Sequence, residues 1–325
     1  MPQKTIEVEH LSKVYGSTTA IEDIHFSVAA GEIIGFLGPN GAGKTTTMRI
    51  LAGYLPATSG TARIAGYDVH RHSMQVRRLI GYLPETPPLY PDMTVKGFLS
   101  FVAKIKGIRA GDRRRQVDKA IKRCQLVDKK DITIRKLSKG YRQRVGIAQA
   151  IVHEPPVIIL DEPTVGLDPR QIIEVRNLIK SLAGEHTLIL STHILPEASM
   201  ICDRLTIINH GRVVTTDTPP DLQAQLETSA GYQLEIAGEA DKILPLLQKI
   251  PGVIQAAKEE SISIKHQDRQ LIKIAYAPNT EPGKDIAATI IGQGLDLYEM
   301  CRTSPSLEDV FLELTTEETL ETESQ

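Results

Sequence analysis

Tryptophan is absent from the 325-residue chain, and phenylalanine and tyrosine bring the aromatic share to only 4%. That scarcity argues against ring platforms for stacking single-stranded nucleic acid. A cationic surplus is missing too. Lys and Arg number 38 against 40 Asp and Glu, a net charge of −2. General nucleic-acid binders carry a basic excess, so no nucleic-acid partner is expected. The three cysteines, Cys124, Cys202 and Cys301, match no zinc-ligand spacing and cannot pair evenly, which fits a reducing cytoplasm. No apolar run approaches the ~20 residues of a membrane span. The longest, at 33–37 and 157–160, have the length of buried strands. The N-terminal residues lack the apolar stretch of a signal peptide.

What is present is an ordinary globular balance, 41% hydrophobic and 24% charged. The length exceeds one typical domain of ~100–150 residues, and two are expected. No internal repeat is visible. Polar and apolar residues alternate through Ile6, Val8, Ile24, Phe26 and Val28, the period of half-buried antiparallel strands. A compact apolar strand follows at 32–37, then a Gly-rich turn and a helix from Lys44. Residues 61–65 read as a strand with a turn at Gly66, Tyr67 and Asp68 behind it. Two helices follow. One is capped by Thr94 and runs through Ala103; the other spans 112–125 with Val117, Ala120, Ile121 and Cys124 inward. They read as an insertion, at about 90–155, between strands of an α/β core. Strands at 157–160, 188–190 and 205–208, with a helix near 195–202, resume that core as a largely parallel sheet covered on both faces.

Pro219 and Pro220 punctuate the chain, giving a first domain at 1–218. Beyond them, strand-like runs at 232–236, 261–265, 270–276 and 295–299 alternate with helix-like ones at 241–250, 283–292 and 306–315. This reads as a small α+β domain at 219–316, with an acidic frayed tail at 317–325.

Chemistry concentrates in Gly38-Pro39-Asn40-Gly41-Ala42-Gly43-Lys44-Thr45, a G-x-x-x-x-G-K-[ST] loop, with Thr46 next in line. A phosphate must be wrapped by converging backbone N–H groups, which needs tight turns without Cβ atoms in the way. The helix beginning at Lys44 points its positive end at the same place. Lys44 supplies a point charge for the β- and γ-phosphates, and the Thr45 hydroxyl suits Mg²⁺. A second signal is the apolar run 157–160 ending in Asp161-Glu162. Pro163 is expected to redirect the chain there, so that Asp161 reaches the cation and Glu162 the attacking water. A second carboxylate suits hydrolysis of ATP.

With these motifs, Leu137-Ser138-Lys139-Gly140-Tyr141-Arg142-Gln143-Arg144 makes residues 4–215 resemble the ATP-binding subunit of an ABC transporter. The resemblance implies a P-loop NTPase of ABC type. Its parts would be a mixed-sheet core, an antiparallel β subdomain and a helical subdomain, followed here by the α+β extension. It implies that Ser138, Lys139 and Gly140 bind the γ-phosphate held by a second copy, and that Tyr15 stacks on adenine. It implies that Asp168, in Gly166-Leu167-Asp168-Pro169, runs along the dimer interface, and that His193 contacts the γ-phosphate. Glu85 stands where the family usually has a Gln that ligates Mg²⁺, and Lys139 where it usually has Gly. Pro87, Pro88 and Pro91 lie where the family docks its membrane partner. Glu85, Lys139 and the C-terminal segment 306–315 further resemble type-2 exporters of drug, polysaccharide and gliding-motility type. The implied function is an ATP-hydrolysing motor, with ATP and Mg²⁺ as cofactors, on the cytoplasmic face of a prokaryotic membrane, beside an integral membrane permease. The alternative is a soluble ATP-switched clamp of the same fold.

Overall fold

The computed structural model describes residues 4–225, 231–238, 240–259, 269–277 and 280–303. The chain divides into two compact units, Met1–Thr218 and Pro219–Gln325.

The first unit opens with two long antiparallel strands, β1 (Lys4–Tyr15) and β2 (Thr18–Ala29). Their alternation buries Ile6, Val8, Leu11, Ile21, Ile24, Phe26 and Val28. Then come β3 (Ile33–Leu37), α1 (Lys44–Leu51), β4 (Ser59–Ile64) and β5 (Tyr67–Asp68). β4 pairs with β1 and β5 with β4, giving a four-stranded sheet of order β2-β1-β4-β5. Tyr67 and Asp68, expected as a turn, are therefore paired strand residues; the reversal is made by Ala65 and Gly66, both at positive φ.

Next are α2 (Ser73–Leu79), β6 (Ile80–Leu83), α3 (Val95–Ile105), α4 (Ala110–Arg123) and α5 (Lys139–Ile151). Thr94 caps α3 as expected, its hydroxyl accepting from Gly97 N at 3.1 Å. The second insertion helix starts two residues earlier than expected and buries Val117, Ala120 and Ile121. The core resumes with β7 (Val157–Asp161), α6 (Pro169–Lys180), β8 (Thr187–Thr192), α7 (Leu195–Ile201), β9 (Arg204–Asn209) and β10 (Arg212–Asp217). The main sheet has the order β10-β9-β3-β8-β7-β6, parallel except for β10. Every residue of β3 and β7 is buried, as a sheet covered on both faces requires. Phe26 and Phe36 meet with ring centroids 5.4 Å apart, joining the antiparallel sheet to the main one.

The second unit contains α8 (Pro219–Gln225), β11 (Gly231–Ala237), α9 (Ala240–Leu247), β12 (Val253–Glu259), β13 (Arg269–Tyr276), α10 (Gly283–Gly292) and β14 (Asp296–Thr303). From β11 onward this is a split βαββαβ arrangement, with antiparallel order β12-β13-β11-β14. Leu234, Ile236, Ile272 and Ile274 of the sheet pack with Ile243, Leu247, Ile286 and Ile290 of the helices. β12 was not expected at 253–259: only Ala256 among its described side chains is buried, so no alternation marks it. The last strand runs to Thr303, beyond the expected 295–299. The expected strand at 261–265, the helix at 306–315 and the tail at 317–325 lie outside the described residues.

Candidate functional site

Four neighbouring parallel strands, β3, β8, β7 and β6, end on the same edge of the main sheet. Ligands of open α/β sheets bind beyond such carboxyl ends. β3 leads into the loop 38–43, β7 ends at Asp161 with Glu162 next, β8 leads to His193, and β6 leads to Glu85. A cavity of about 390 Å³ opens there, lined by Asn40, Gly41, Gly43, Lys44, Thr45, Thr46, Glu85, Glu162 and His193, with Ala20 and Val165. The first nine are residues the sequence pointed to; Ala20 and Val165 carry no motif.

The loop is shaped by close approach. Gly43 has φ 104°, and a Cβ on it would lie 2.7 Å from Ala20 O. A Cβ on Gly38 would lie 2.3 Å from Ile208 O. No other residue fits either place without moving backbone. Pro39 and Ala42 close the turn between them, Ala42 N donating to Pro39 O at 3.2 Å. α1 starts directly behind, and no side chain caps its N-terminus, an arrangement that leaves first-turn N–H groups of a helix available to an anion.

Lys44 is buried and donates to Gly38 O at 2.8 Å and Pro39 O at 3.1 Å. Its ammonium also stands 3.6 Å from Glu162 Oε1. Burial lowers its pKa, against the pull of Glu162 first and of Asp161 and Glu85 after it. Glu162 is 7% exposed, and its second carboxylate oxygen lies 3.0 Å from His193 Nδ1. One carboxylate thus holds a lysine on one oxygen and a histidine on the other. The redirection expected of Pro163 is made one residue earlier: Glu162 itself takes φ 48°. A left-handed backbone costs a non-glycine residue about 1–2 kcal/mol. It swings the Glu162 side chain into the cavity instead of the strand's alternate face.

Asp161 is 1% exposed. Its Oδ1 accepts from Ser191 Oγ at 2.6 Å and from Thr45 Oγ1 at 3.2 Å. Burial raises its pKa, these two hydrogen bonds oppose that, and the neighbouring charges of Glu162 and Glu85 add to the rise. Among the described residues no three His, Cys, Asp or Glu side chains converge as a metal site. What is present is one hydroxyl, Thr45, touching one carboxylate, Asp161, with Glu85 on the same cavity wall beside a phosphate loop. That donor set fits Mg²⁺, which keeps water and takes phosphate oxygens in place of a full protein cage.

The remaining expected residues lie apart from this cavity's lining. Tyr15 is half exposed near the β1–β2 turn, with Lys13 Nζ 5.2 Å from its ring centre. Ser138 caps α5, its hydroxyl accepting from Tyr141 N at 3.4 Å. Asp168 caps α6, accepting from Gln171 N at 2.9 Å. Gly140 is buried, and a Cβ there would lie 2.3 Å from Gln171 Oε1. Lys139 reaches Gly166: a Cβ on that glycine, at φ 66°, would lie 2.2 Å from Lys139 Nζ. So on one chain Lys139 meets Gly166, and Gly140 meets Gln171 of α6. Sequence reasoning missed Ser191 and a buried pair behind the site, Thr164 Oγ1 donating to Glu197 Oε2 at 2.5 Å.

The ABC transporter family model matches residues 21–165. The bacitracin transport ATP-binding protein BcrA of Bacillus licheniformis is 34% identical over 311 residues, covering 95% of this chain and 96% of its own. The linearmycin resistance ATP-binding protein LnrL of Bacillus subtilis (strain 168) is 30% identical over 311 residues, covering 95% of this chain and 98% of its own. Among solved structures, the dimeric MJ0796, a bacterial ABC transporter cassette, is 25% identical with a TM-score of 0.60, over 66% of this chain and 98% of its own. Near-full-length identity with such relatives, on a sheet edge that gathers a phosphate loop, two carboxylates and a histidine, leads to one conclusion: the chain belongs to the ATP-binding proteins of ABC transporters and is an ATP hydrolase.

Proposed function

We propose that this chain is the motor subunit of a membrane exporter, working as a dimer that encloses two ATP molecules and drives a separate permease. One observation carries this reading. The cavity gathers Lys44, Glu162 and His193, while Ser138, Lys139 and Gly140 lie outside it on the same chain. The capped start of α5 offers N–H groups to an anion held elsewhere, and a second copy supplies that anion. Two relatives, a bacitracin transport ATP-binding protein and a linearmycin resistance ATP-binding protein, support export, and the dimeric structure of MJ0796 supports pairing.

In this reading the loop 38–43, Lys44 and Thr46 hold the phosphates, and Tyr15 stacks on the adenine. Glu162 orients the attacking water, and His193 holds Glu162 and the γ-phosphate in line. Thr45, Asp161 and Glu85 would hold Mg²⁺, which neutralises charge on the phosphates. Asp168 lies along the dimer contact. Hydrolysis removes the bridge between the two copies, and the charge left behind opens them. The unit 219–316 is an accessory domain that stabilises the pair or sets its rate.

The permease sits on the groove bounded by α2, β6 and the end of α3. That groove has a volume of about 770 Å³ and is lined by Tyr54, Met74, Arg77, Arg78, Ile105 and Lys106, among others. Tyr54, Met74 and Ile105 are 72%, 59% and 66% exposed, an apolar surface rimmed by cations. Among the described residues no helix is long and apolar enough to cross a membrane. In this reading the permease holds the chain at the cytoplasmic face of the membrane. Purification in detergent from the host tests this: a multispan protein should accompany the chain and be lost on Met74→Asp plus Ile105→Asp. A soluble partner instead would favour the clamp reading.

A further inference from the structure

Ser191 is fully buried in the middle of the site's supporting layer, two residues before His193 on β8. In the parallel register it stands directly opposite Asp161. Its hydroxyl has one proton, and that proton goes to Asp161 Oδ1 at 2.6 Å. Ser191 Oγ in turn accepts from Glu162 N at 3.0 Å, and the Ser191 carbonyl accepts from that N–H at 3.2 Å. Glu162 N is therefore gripped from both ends of one residue. That N–H belongs to the peptide that turns into the left-handed φ of 48°. A strained backbone persists only where the surroundings over-determine it.

We propose that Ser191 is a positioning residue that sets both carboxylates at once: it aims Asp161 toward the cation side and holds the Glu162 backbone in the turn that presents its side chain to water. It touches neither nucleotide nor water, since it has no exposed surface. The inference rests on the reading of Glu162 as the residue that orients water and Asp161 as the carboxylate on the cation side. Asp161 keeps a second donor, Thr45 Oγ1 at 3.2 Å, but that bond belongs to the phosphate-loop side and is free to exchange when a cation arrives. Ser191 provides the fixed side. Any residue without a hydroxyl leaves Asp161 with one buried acceptor unmatched and Glu162 N with a single, longer partner.

The test uses full-length chain with Ser191→Ala and Ser191→Cys. Cysteine nearly keeps the volume while replacing a strong donor by a weak one. Four quantities are measured: kcat for ATP, KM for ATP, the affinity of Mn²⁺ in the presence of a non-hydrolysable ATP analogue by electron paramagnetic resonance, and the melting temperature. A misplacement near 1 Å in an active site costs about a hundredfold in rate. Both variants should lose about ten- to a hundredfold in kcat with KM for ATP nearly unchanged, and bind Mn²⁺ severalfold more weakly. Wild-type kcat and Mn²⁺ affinity in either variant would overturn the proposal. So would a loss of ATP affinity and melting temperature in step with kcat, which marks a packing role alone. Glu162→Gln is run alongside. If Glu162→Gln is inactive while Ser191→Ala is normal, the Ser191 role alone fails; if Glu162→Gln hydrolyses normally, the reading of Glu162 fails first.

Discussion

Glu162 divides its two carboxylate oxygens between Lys44 Nζ, 3.6 Å away, and His193 Nδ1, 3.0 Å away. The acid's side chain is 9% exposed and the imidazole 37%, so the pair forms a wall of the cavity with its inner half dry. A carboxylate pinned this way cannot swing freely, and it presents one orientation to the cavity, which in the proposed role faces a water beside the γ-phosphate. Glu162→Gln keeps the shape and removes the negative charge. Turnover should fall by at least about a hundredfold, the scale of a lost general base. ATP binding should persist, and light scattering should report an ATP-dependent dimer that wild type does not accumulate.

Lys44 is the buried cation that balances Glu162, and it is tied to the phosphate loop through Gly38 O and Pro39 O. Lys44→Ala removes the point charge for phosphate and strands a buried carboxylate. ATP affinity, followed with a fluorescent analogue, should drop at least about tenfold, the equivalent of one pKa unit of interaction. Unaltered affinity would reject the phosphate-loop assignment.

Gly166 and Lys139 are in contact across the two segments that cap α5 and α6. Gly166→Ala has two costs, the left-handed φ of 66° and a collision with Lys139 Nζ. The first is about 1–2 kcal/mol. The second disappears if the lysine is shortened. In a double-mutant cycle, Gly166→Ala should harm ATPase rate and stability less in a Lys139→Ala background than in wild type. Strict additivity would mean that the two segments do not act on each other.

His153 donates through Nε2 to Ile80 O at 3.0 Å, behind the edge strand that carries the chain to Glu85. Burial pushes its pKa down to about 4 from 6.5, with Lys106 and then His186 adding to the fall. The unfolded chain takes up a proton through that window and the folded one does not. Stability is therefore fully present above 6.5 and lost as pH falls toward 4. Relative to His153→Gln, urea unfolding of wild type should lose up to about 1.4 kcal/mol for each pH unit in that interval. Equal acid sensitivity of the two would mean that His153 stays accessible to protons in the folded state.

The loop 38–45 and Asp161-Glu162 could be read as short local patterns whose chemistry needs those residue types side by side, whereas His193, a lone histidine after a strand, carries no pattern of its own and was expected only from the family resemblance. Glu85 was legible as a position, but the strand before it was not, since Gly81 breaks the apolar run and α5 lies against it: a Cβ there would reach Ala150 O at 2.1 Å. β10 escaped notice because none of its residues is buried, leaving nothing for alternation to mark. Ser191 was invisible for another reason. Its role comes from lying opposite Asp161 in a parallel pair, 30 positions away in sequence, and no local pattern encodes such a register. The turn at Glu162 shows the limit of a rule used alone: proline after a strand does redirect chains, yet the unusual dihedral falls on the residue before it.

β8 delivers Ser191 to the backbone of one acid and His193 to its side chain, and its middle is Leu188, Ile189 and Leu190, all buried between β3 and β7. The strand therefore acts as a ruler for the chemistry, with its zero point set by greasy side chains that never meet ATP. Trimming one of them, as in Ile189→Val, removes a single methylene and leaves a folded protein. Yet a few tenths of an ångström of slippage along that strand moves the hydroxyl and the imidazole together. Rate is then the more sensitive gauge of core quality than melting temperature, and sequence drift in the sheet interior becomes a way to tune the speed of ATP hydrolysis without editing the residues that line the cavity.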